Sequence, residues 1–301
     1  MPNIWTHIIF ADELAKKTNL DTSKYIKVFH LGAQGPDPFF YHNFLPWKKD
    51  KSVAQIGGRI HKERCGEFLI EMLRFIKKSP DPALQYYAYG FFSHHILDRN
   101  THPYIIYKSG EVGNKHQLLE TTLDTILAKE YLGIDTWKKP AYKEIYVGFR
   151  LPLSINKLLS YLLKQVHQIK RNDTDKIINK SYKEMLRALR FLYDPTGLKN
   201  KTLRDLVSPY SHRKGYAEKD YLNLNHNVWL HPATQEESSE SFYEIWERAE
   251  QDGIRVFTAL NEYFANKMEL EELQELLGNI SYETGSSCEE TLELRYFDPI
   301  A

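Results

Sequence analysis

The sequence predicts an all-α protein, and three observations predict it. Apolar residues recur at three- and four-residue steps over most of the chain, no set of well-bounded segments alternates with period two, and prolines separate one such run from the next. The 301 residues, 42% apolar and 27% charged, exclude wholesale disorder and suit a sizeable core. With no internal repeat, low-complexity tract or evident linker, residues 1–301 read as a single helical domain. Within it, 1–135 carries the chemistry-bearing residues and 136–301 forms a helical extension packed on them.

The elements follow in order. From Gln55 to Lys78 the residues Ile56, Ile60, Phe68, Leu69, Met72, Phe75 and Ile76 mark one helical face. Ser79-Pro80-Asp81-Pro82 stops that helix and starts the next, because proline fits a helix's first turn and not its interior. The next helix runs from Pro82 to about Asp98, and Tyr86, Tyr87, Tyr89, Phe91 and Phe92 make it apolar on most sides and hence central. It is expected to be ending at His102, which directly precedes Pro103. A polar loop from Lys108 to Lys115 leads into a helix from His116 to about Tyr131. Further helices are predicted at Ser154–Arg171, Asp175–Leu192, Ser238–Asn266 and Glu269–Leu277.

Composition narrows the function classes. Cys65 and Cys288 cannot build a disulfide framework. No run approaches about 18 consecutive apolar residues, so no membrane-spanning helix is predicted. The start, Met1-Pro2-Asn3-Ile4-Trp5-Thr6-His7, lacks a basic stretch followed by an apolar one, which predicts a cytoplasmic, reducing setting. The net charge of zero hides an asymmetry, since Glu236 to Ala301 holds 17 acidic and 4 basic residues. The basic remainder either packs beside the acidic helices, the preferred reading, or faces phosphate groups on lipid or nucleic acid. Without a dense Lys/Arg run or an aromatic-interleaved basic motif, nucleic acid is the lesser option.

Eight of the twelve histidines fall at or before position 116, and several have a carboxylate one helical turn away. His94 and Asp98 are four apart on the central helix, His102 follows after four more, and His116 and Glu120 form a second such pair. Two pairs on adjacent antiparallel helices can converge on one point, and imidazole with carboxylate suits zinc, or iron or manganese. Upstream stand His61, Asp37 between Pro36 and Pro38, and His7. Each residue alone has an ordinary structural reading as a hydrogen-bonded pair, a turn residue or an exposed helix position. Burying Asp98 in so apolar a helix without a counter-charge would be costly, and a metal supplies that charge. From spacing alone, a metal site and a set of ordinary polar pairs are equal readings.

The ordered set resembles the zinc-dependent phospholipase C family, which shares its helical fold with the P1/S1 nucleases. The resemblance lies in Thr6-His7, in Leu31-Gly32-Ala33-Gln34-Gly35-Pro36-Asp37-Pro38-Phe39-Phe40 and in Gly58-Arg59-Ile60-His61. It continues in Gly90-Phe91-Phe92-Ser93-His94-His95-Ile96-Leu97-Asp98, Thr101-His102-Pro103 and His116-Gln117-Leu118-Leu119-Glu120 with Asp124. Weaker echoes are Leu222-Asn223-Leu224-Asn225-His226, Trp229 and Pro232.

The resemblance implies a multi-helix bundle of this fold with a helical C-terminal extension, and two or three Zn2+ or other divalent ions. Asp37, His61, His94 and Asp98 would hold one ion, His102, His116 and Glu120 a second, and His7 with bridging Asp98 a third. His95 competes with His94, which is preferred because it stands four residues from Asp98. Asp124 is expected to orient His116. Two features depart from secreted members: Trp5 is internal rather than the first residue, and Asp98 and His102 are closer together. The implied activity is hydrolysis of a phosphodiester or phosphomonoester by a metal-activated water, with Asp37 ligating or deprotonating that water. A small phosphoester or a lipid headgroup is the expected substrate, and Phe39, Phe40, Tyr41 and Tyr104 are candidates to line its pocket. The alternatives are a nuclease or nucleotide phosphohydrolase with the same metals, and a non-catalytic metal-binding helical protein.

Overall fold

The chain is wound around one 27-residue helix, α5 (Ala83–Ser109), whose residues are buried almost from end to end. The structure, a computed structural model, describes residues 4–216 and 218–300. Met1, Pro2 and Asn3, part of the opening segment from which a cytoplasmic setting is expected, lie outside the described residues. Before α5 come α1 (Ile4–Lys17), α2 (Ile26–Gly32), α3 (Ser52–Lys62) and α4 (Cys65–Lys77). After it come α6 (Lys115–Leu132), α7 (Leu153–Gln165), α8 (Thr174–Leu192), α9 (Leu198–Leu203), α10 (Phe242–Phe264) and α11 (Leu270–Leu277). The protein is thus all-α. The described residues add one two-residue hairpin, β1 (Trp229–Leu230) antiparallel to β2 (Glu237–Ser238). No helix among them is long and apolar enough to cross a membrane.

Helix α2 crosses α5 at very short range. A Cβ on Gly90 would lie 2.1 Å from the Phe29 carbonyl oxygen, so only glycine permits that approach. The crossing carries the turn after α2, and with it Asp37, onto the middle of α5. Helix α1 packs on α5, α6 and α10 through Ile4, Ile8, Ala11 and Ala15, a stripe at three- and four-residue steps. Neither α1 nor α2 is among the helices predicted from periodicity, and α2, at seven residues, is too short to show more than two turns of a repeat.

Three expectations about the elements need correction. The helix predicted over 55–78 is two helices, because Glu63 is extended and Arg64 is left-handed, at φ 54°. The break lets the C-terminal chain in: Tyr282 N and Ser281 Oγ donate to the His61 carbonyl, at 3.0 and 3.1 Å. Secondly, α5 does not end at His102; it runs through Pro103 to Ser109. Proline cannot engage the Arg99 carbonyl one turn back, and Gly285 packs against that carbonyl so closely that a Cβ there would lie 2.3 Å from it. Thirdly, the helix predicted at Ser154–Arg171 ends at Gln165. The echo around Trp229, to which the sequence assigned no role, builds structure. Its indole N–H donates to the Glu240 carbonyl at 3.1 Å, and its ring meets Tyr104 edge-on.

Candidate metal centre

Four histidines of the centre are aimed by the same device. His94 Nδ1 donates to the Ala33 carbonyl (3.1 Å), His61 Nδ1 to the Gly57 carbonyl (2.7 Å) and His102 Nδ1 to the Tyr282 carbonyl (2.9 Å). His116 Nδ1 meets Ser109 Oγ at 3.2 Å. Holding Nδ1 leaves Nε2 as the nitrogen presented inward, the arrangement that orients a metal-binding imidazole. Gly35 lets the turn after α2 lie against the His94 ring: its φ is +48°, and a Cβ there would lie 2.3 Å from that ring. His7 comes from α1 and stacks on His94 at a centroid distance of 4.2 Å.

The presented nitrogens surround three buried carboxylates. His94 Nε2 lies 3.0 Å and His7 Nε2 3.4 Å from Asp98, and His61 Nε2 lies 3.3 Å from Asp37. His116 Nε2 lies 2.8 Å and His102 Nε2 3.6 Å from Glu120. All eight residues expected at the site are therefore brought together, in three groups of which the first two share His94: His7, His94 and Asp98; Asp37, His61 and His94; His102, His116 and Glu120. His94 faces these carboxylates, whereas its neighbour His95 turns away and bonds the Ile280 carbonyl at 2.8 Å.

The donor set fits divalent metal. Both nitrogens of His7, His94 Nε2, His102 Nε2, Asp37 Oδ1 and Asp98 Oδ2 are buried and make no hydrogen bond, close as their neighbours are. Two atoms each about 2.1 Å from one tetrahedral ion stand about 3.4 Å apart, which is too far for a good hydrogen bond and close to most of the spacings here. Electrostatics agrees. Burial works to raise the Asp98 carboxyl, but His102, His94 and His7 hold it well below its usual value. Burial opposes charge on His102, yet Asp98 and Glu120 push it up to about 9, and Asp98 and Asp37 likewise raise His94. His7, buried beside His94, is pushed down to about 3. In the bare chain, imidazole protons thus supply the positive charge that the carboxylates demand and that bound cations would otherwise supply.

A family model described as zinc dependent phospholipase C matches residues 6–191, more than half of the chain. The chain belongs to that family. Searches of curated proteins and of solved structures find no significant match. Membership in a zinc-dependent phospholipase C family, the helical fold and the three His/carboxylate groups together support a metal-dependent hydrolase, with zinc as its metal.

The surroundings differ from expectation at several points. Asp124 does not orient His116. Its Oδ1 accepts from Thr6 Oγ1 (2.8 Å) and its Oδ2 meets His212 Nε2 (2.7 Å), so it anchors α1 beside His7 instead. The reach of an Asp side chain decides this: α1 packs against the side of α6 that bears Asp124, while Ser109 already holds the His116 ring. Trp5 is buried inside α1, with its indole nitrogen unpartnered. Of the aromatic candidates, Phe40 lines the cavity at the centre, whereas Phe39, Tyr41 and Tyr104 are buried in the core.

Tyr282 is a contributor that sequence reasoning missed. Besides its carbonyl on His102, its ring packs against His61, His94 and His95 at centroid distances of 5.0, 5.8 and 4.4 Å. It lies outside the matched residues 6–191 in a non-helical segment, so neither periodicity nor spacing could single it out.

Proposed function

We propose that this family member is a phosphoesterase acting on a small phosphoester or lipid headgroup, with His7, Asp37, His61, His94, Asp98, His102, His116 and Glu120 as the ligands of two or three zinc ions. The observation that carries the reading is the cavity at the centre. It has a volume of about 550 Å³, with Asp37, His61, His102 and His116 on one wall and Phe40, Ile106 and Leu294 on others. The bound ions would lower the pKa of an attacking water and neutralise the phosphoryl oxygens.

The residues divide the remaining work. Asp98, Glu120, His7 and His94 do not line this cavity and serve to hold charge behind it. Asp37 is the carboxylate of the three groups that reaches the cavity wall, which supports its role as proton acceptor for the nucleophile. Phe40, Ile106 and Leu294 offer an apolar surface to the part of the substrate beyond the phosphate. Lys62 is the lysine on the wall, and Glu283 pairs with it at 2.8 Å, so the cavity lacks the free cations that a nucleic-acid backbone would need. This favours the small or lipid ester over the nuclease reading. The whole chain is taken as one domain, since α10 packs on α5 and Tyr282 reaches the centre from the C-terminal part.

The test is metal counting on purified protein, followed by assays before and after chelation. The panel is phosphatidylcholine, p-nitrophenyl phosphate and its diesters, and single-stranded DNA. Two or three zinc ions per chain and chelator-sensitive turnover of a lipid or nitrophenyl ester are expected. A fully loaded protein inert towards every ester would instead establish a non-catalytic metal protein.

A further inference from the structure

The acidic C-terminal part neutralises some of the basic body but not all of it. Glu250 pairs with Lys17 at 2.5 Å, Asp252 with Arg99 at 2.5 Å and Glu283 with Lys62 at 2.8 Å. These pairs serve α1, α5 and α3. Helix α8 receives none among the described residues. Along one side of it Lys176, Lys180, Lys183 and Arg187 recur at three- and four-residue steps, and with Arg150 they line a groove of about 560 Å³. No ion pair joins any of these five cations to a carboxylate among the described residues, and Lys180 instead donates to Asn43 Oδ1 at 2.7 Å. Asp175 and Glu184 also line the groove, and Glu184 is engaged by the Asn43 backbone N–H at 2.6 Å.

The opposite side of α8 is fixed. Ile177, Ile178, Tyr182 and Met185 are buried, and the helix packs on the 3-10 turn Asp37–Tyr41 that carries a residue of the metal centre. The segment before α7 is strapped to α8 beside the basic groove. Tyr182 Oη accepts from Val147 N (2.9 Å) and donates to the Gly148 carbonyl (3.0 Å), while Asn179 Oδ1 accepts from Leu151 N (3.1 Å). That strap leaves Phe149 88% and Leu153 68% exposed, two large apolar side chains flanking Arg150 of the groove. The loop that contributes Asn43 adds Trp47, 71% exposed.

We propose that this face, formed by α8 and residues 149–153, docks the protein on an anionic lipid surface. Cations held against a rigid helix meet the lipid phosphates and carboxylates, and the apolar tips beside them enter the headgroup boundary. A single-stranded nucleic acid would use the cations and stack a base on Phe149, but Leu153 beside it has no ring to stack, so the mixed aromatic and aliphatic tips favour lipid. The proposal goes beyond the phosphoesterase reading and does not need turnover for its test.

The test is co-sedimentation of the full chain with vesicles of phosphatidylcholine alone or with about 30 mol% phosphatidylserine. Binding is expected on the anionic vesicles only, and it should weaken as salt rises from about 0.05 to about 0.5 M. The double variant Lys176→Glu/Arg187→Glu, altered at two exposed positions, should bind about tenfold or more weakly, and Phe149→Ser/Leu153→Ser severalfold more weakly. Unchanged thermal midpoints exclude misfolding as the cause. Equal binding to neutral vesicles, or wild-type binding by either variant, would overturn the proposal. So would tighter binding to single-stranded DNA at matched phosphate concentration, which would mark the face as a nucleic-acid surface.

Discussion

His167 and the metal centre both bury imidazole rings with unpartnered nitrogens, yet the electrostatics of His167 run opposite to those of His94 and His102, while burial keeps His7 low in spite of Asp98. His167 sits beside Phe68 with neither nitrogen bonded, and burial together with Arg59 and Arg64 pushes it down to about 4. At the centre, Asp98 and Glu120 push His102 up to about 9. An orphaned nitrogen therefore marks a candidate ligand position only where carboxylates are aimed at it. Where cations surround the ring instead, the protein simply holds it neutral.

The sharpest way to break this comparison is to remove the carboxylate that most rings share. Asp98 lies within 3.9 Å of Nε2 of His7, His61, His94 and His102. Asp98→Asn is expected to abolish metal retention and hydrolysis together, and to cost stability on the order of 3–5 kcal/mol, the penalty for leaving buried charge unpartnered. Elemental analysis, turnover and denaturant melts check all three effects. Full metal content with normal turnover would take Asp98 out of the centre.

A smaller effect is expected at Tyr282, whose ring buttresses His61, His94 and His95. Tyr282→Ala should weaken metal retention by about 10–100-fold, the range found when a support of a ligand is lost. Tyr282→Phe, which keeps the ring, should retain it. Chelator titrations of the two variants separate these outcomes, and equal affinity in both would mean that the ring does not position the ligands.

The smallest effect belongs to His167, where His167→Met should leave metal content and turnover unchanged. Its signature is in the pH dependence of stability. Because the folded value, about 4, lies below the unfolded 6.5, the unfolded chain takes up the proton first. The wild type should therefore lose stability as pH falls from about 6.5 towards about 4. The variant should lack that slope, and matched melting profiles for the two proteins in this window would show that His167 is not held neutral.

Much of the site is legible in the order of residues, because its chemistry is carried by local spacings. His94 with Asp98, and His116 with Glu120, are set on common helix faces by the 3.6-residue repeat, whatever the rest of the chain does. Pro82 starts the central helix for an equally local reason. What the spacings leave open is which nitrogen each ring presents and which carboxylate it meets. His94 is aimed by the Ala33 carbonyl, and His102 by the carbonyl of Tyr282, 180 residues further along.

The sequence by itself determined the helical class, the central place of α5 and the pairing of His94 with Asp98 and of His116 with Glu120, since periodicity, proline placement and i,i+4 spacing act within a few residues. Tertiary structure alone decided that the helix over 55–78 breaks at Glu63–Arg64, that α5 continues through Pro103, that Asp124 anchors α1 rather than His116, and that the basic face of α8 has no ion pair among the described residues. Each of those outcomes depends on what packs against the element from far away in the chain: Ser281 and Tyr282 at the His61 carbonyl, Gly285 at the Arg99 carbonyl, Thr6 at Asp124, and the C-terminal acidic groups that pair with α1, α3 and α5. Such contacts carry no spacing signal, because a hydrogen bond or ion pair depends on distance in space and is indifferent to separation along the chain.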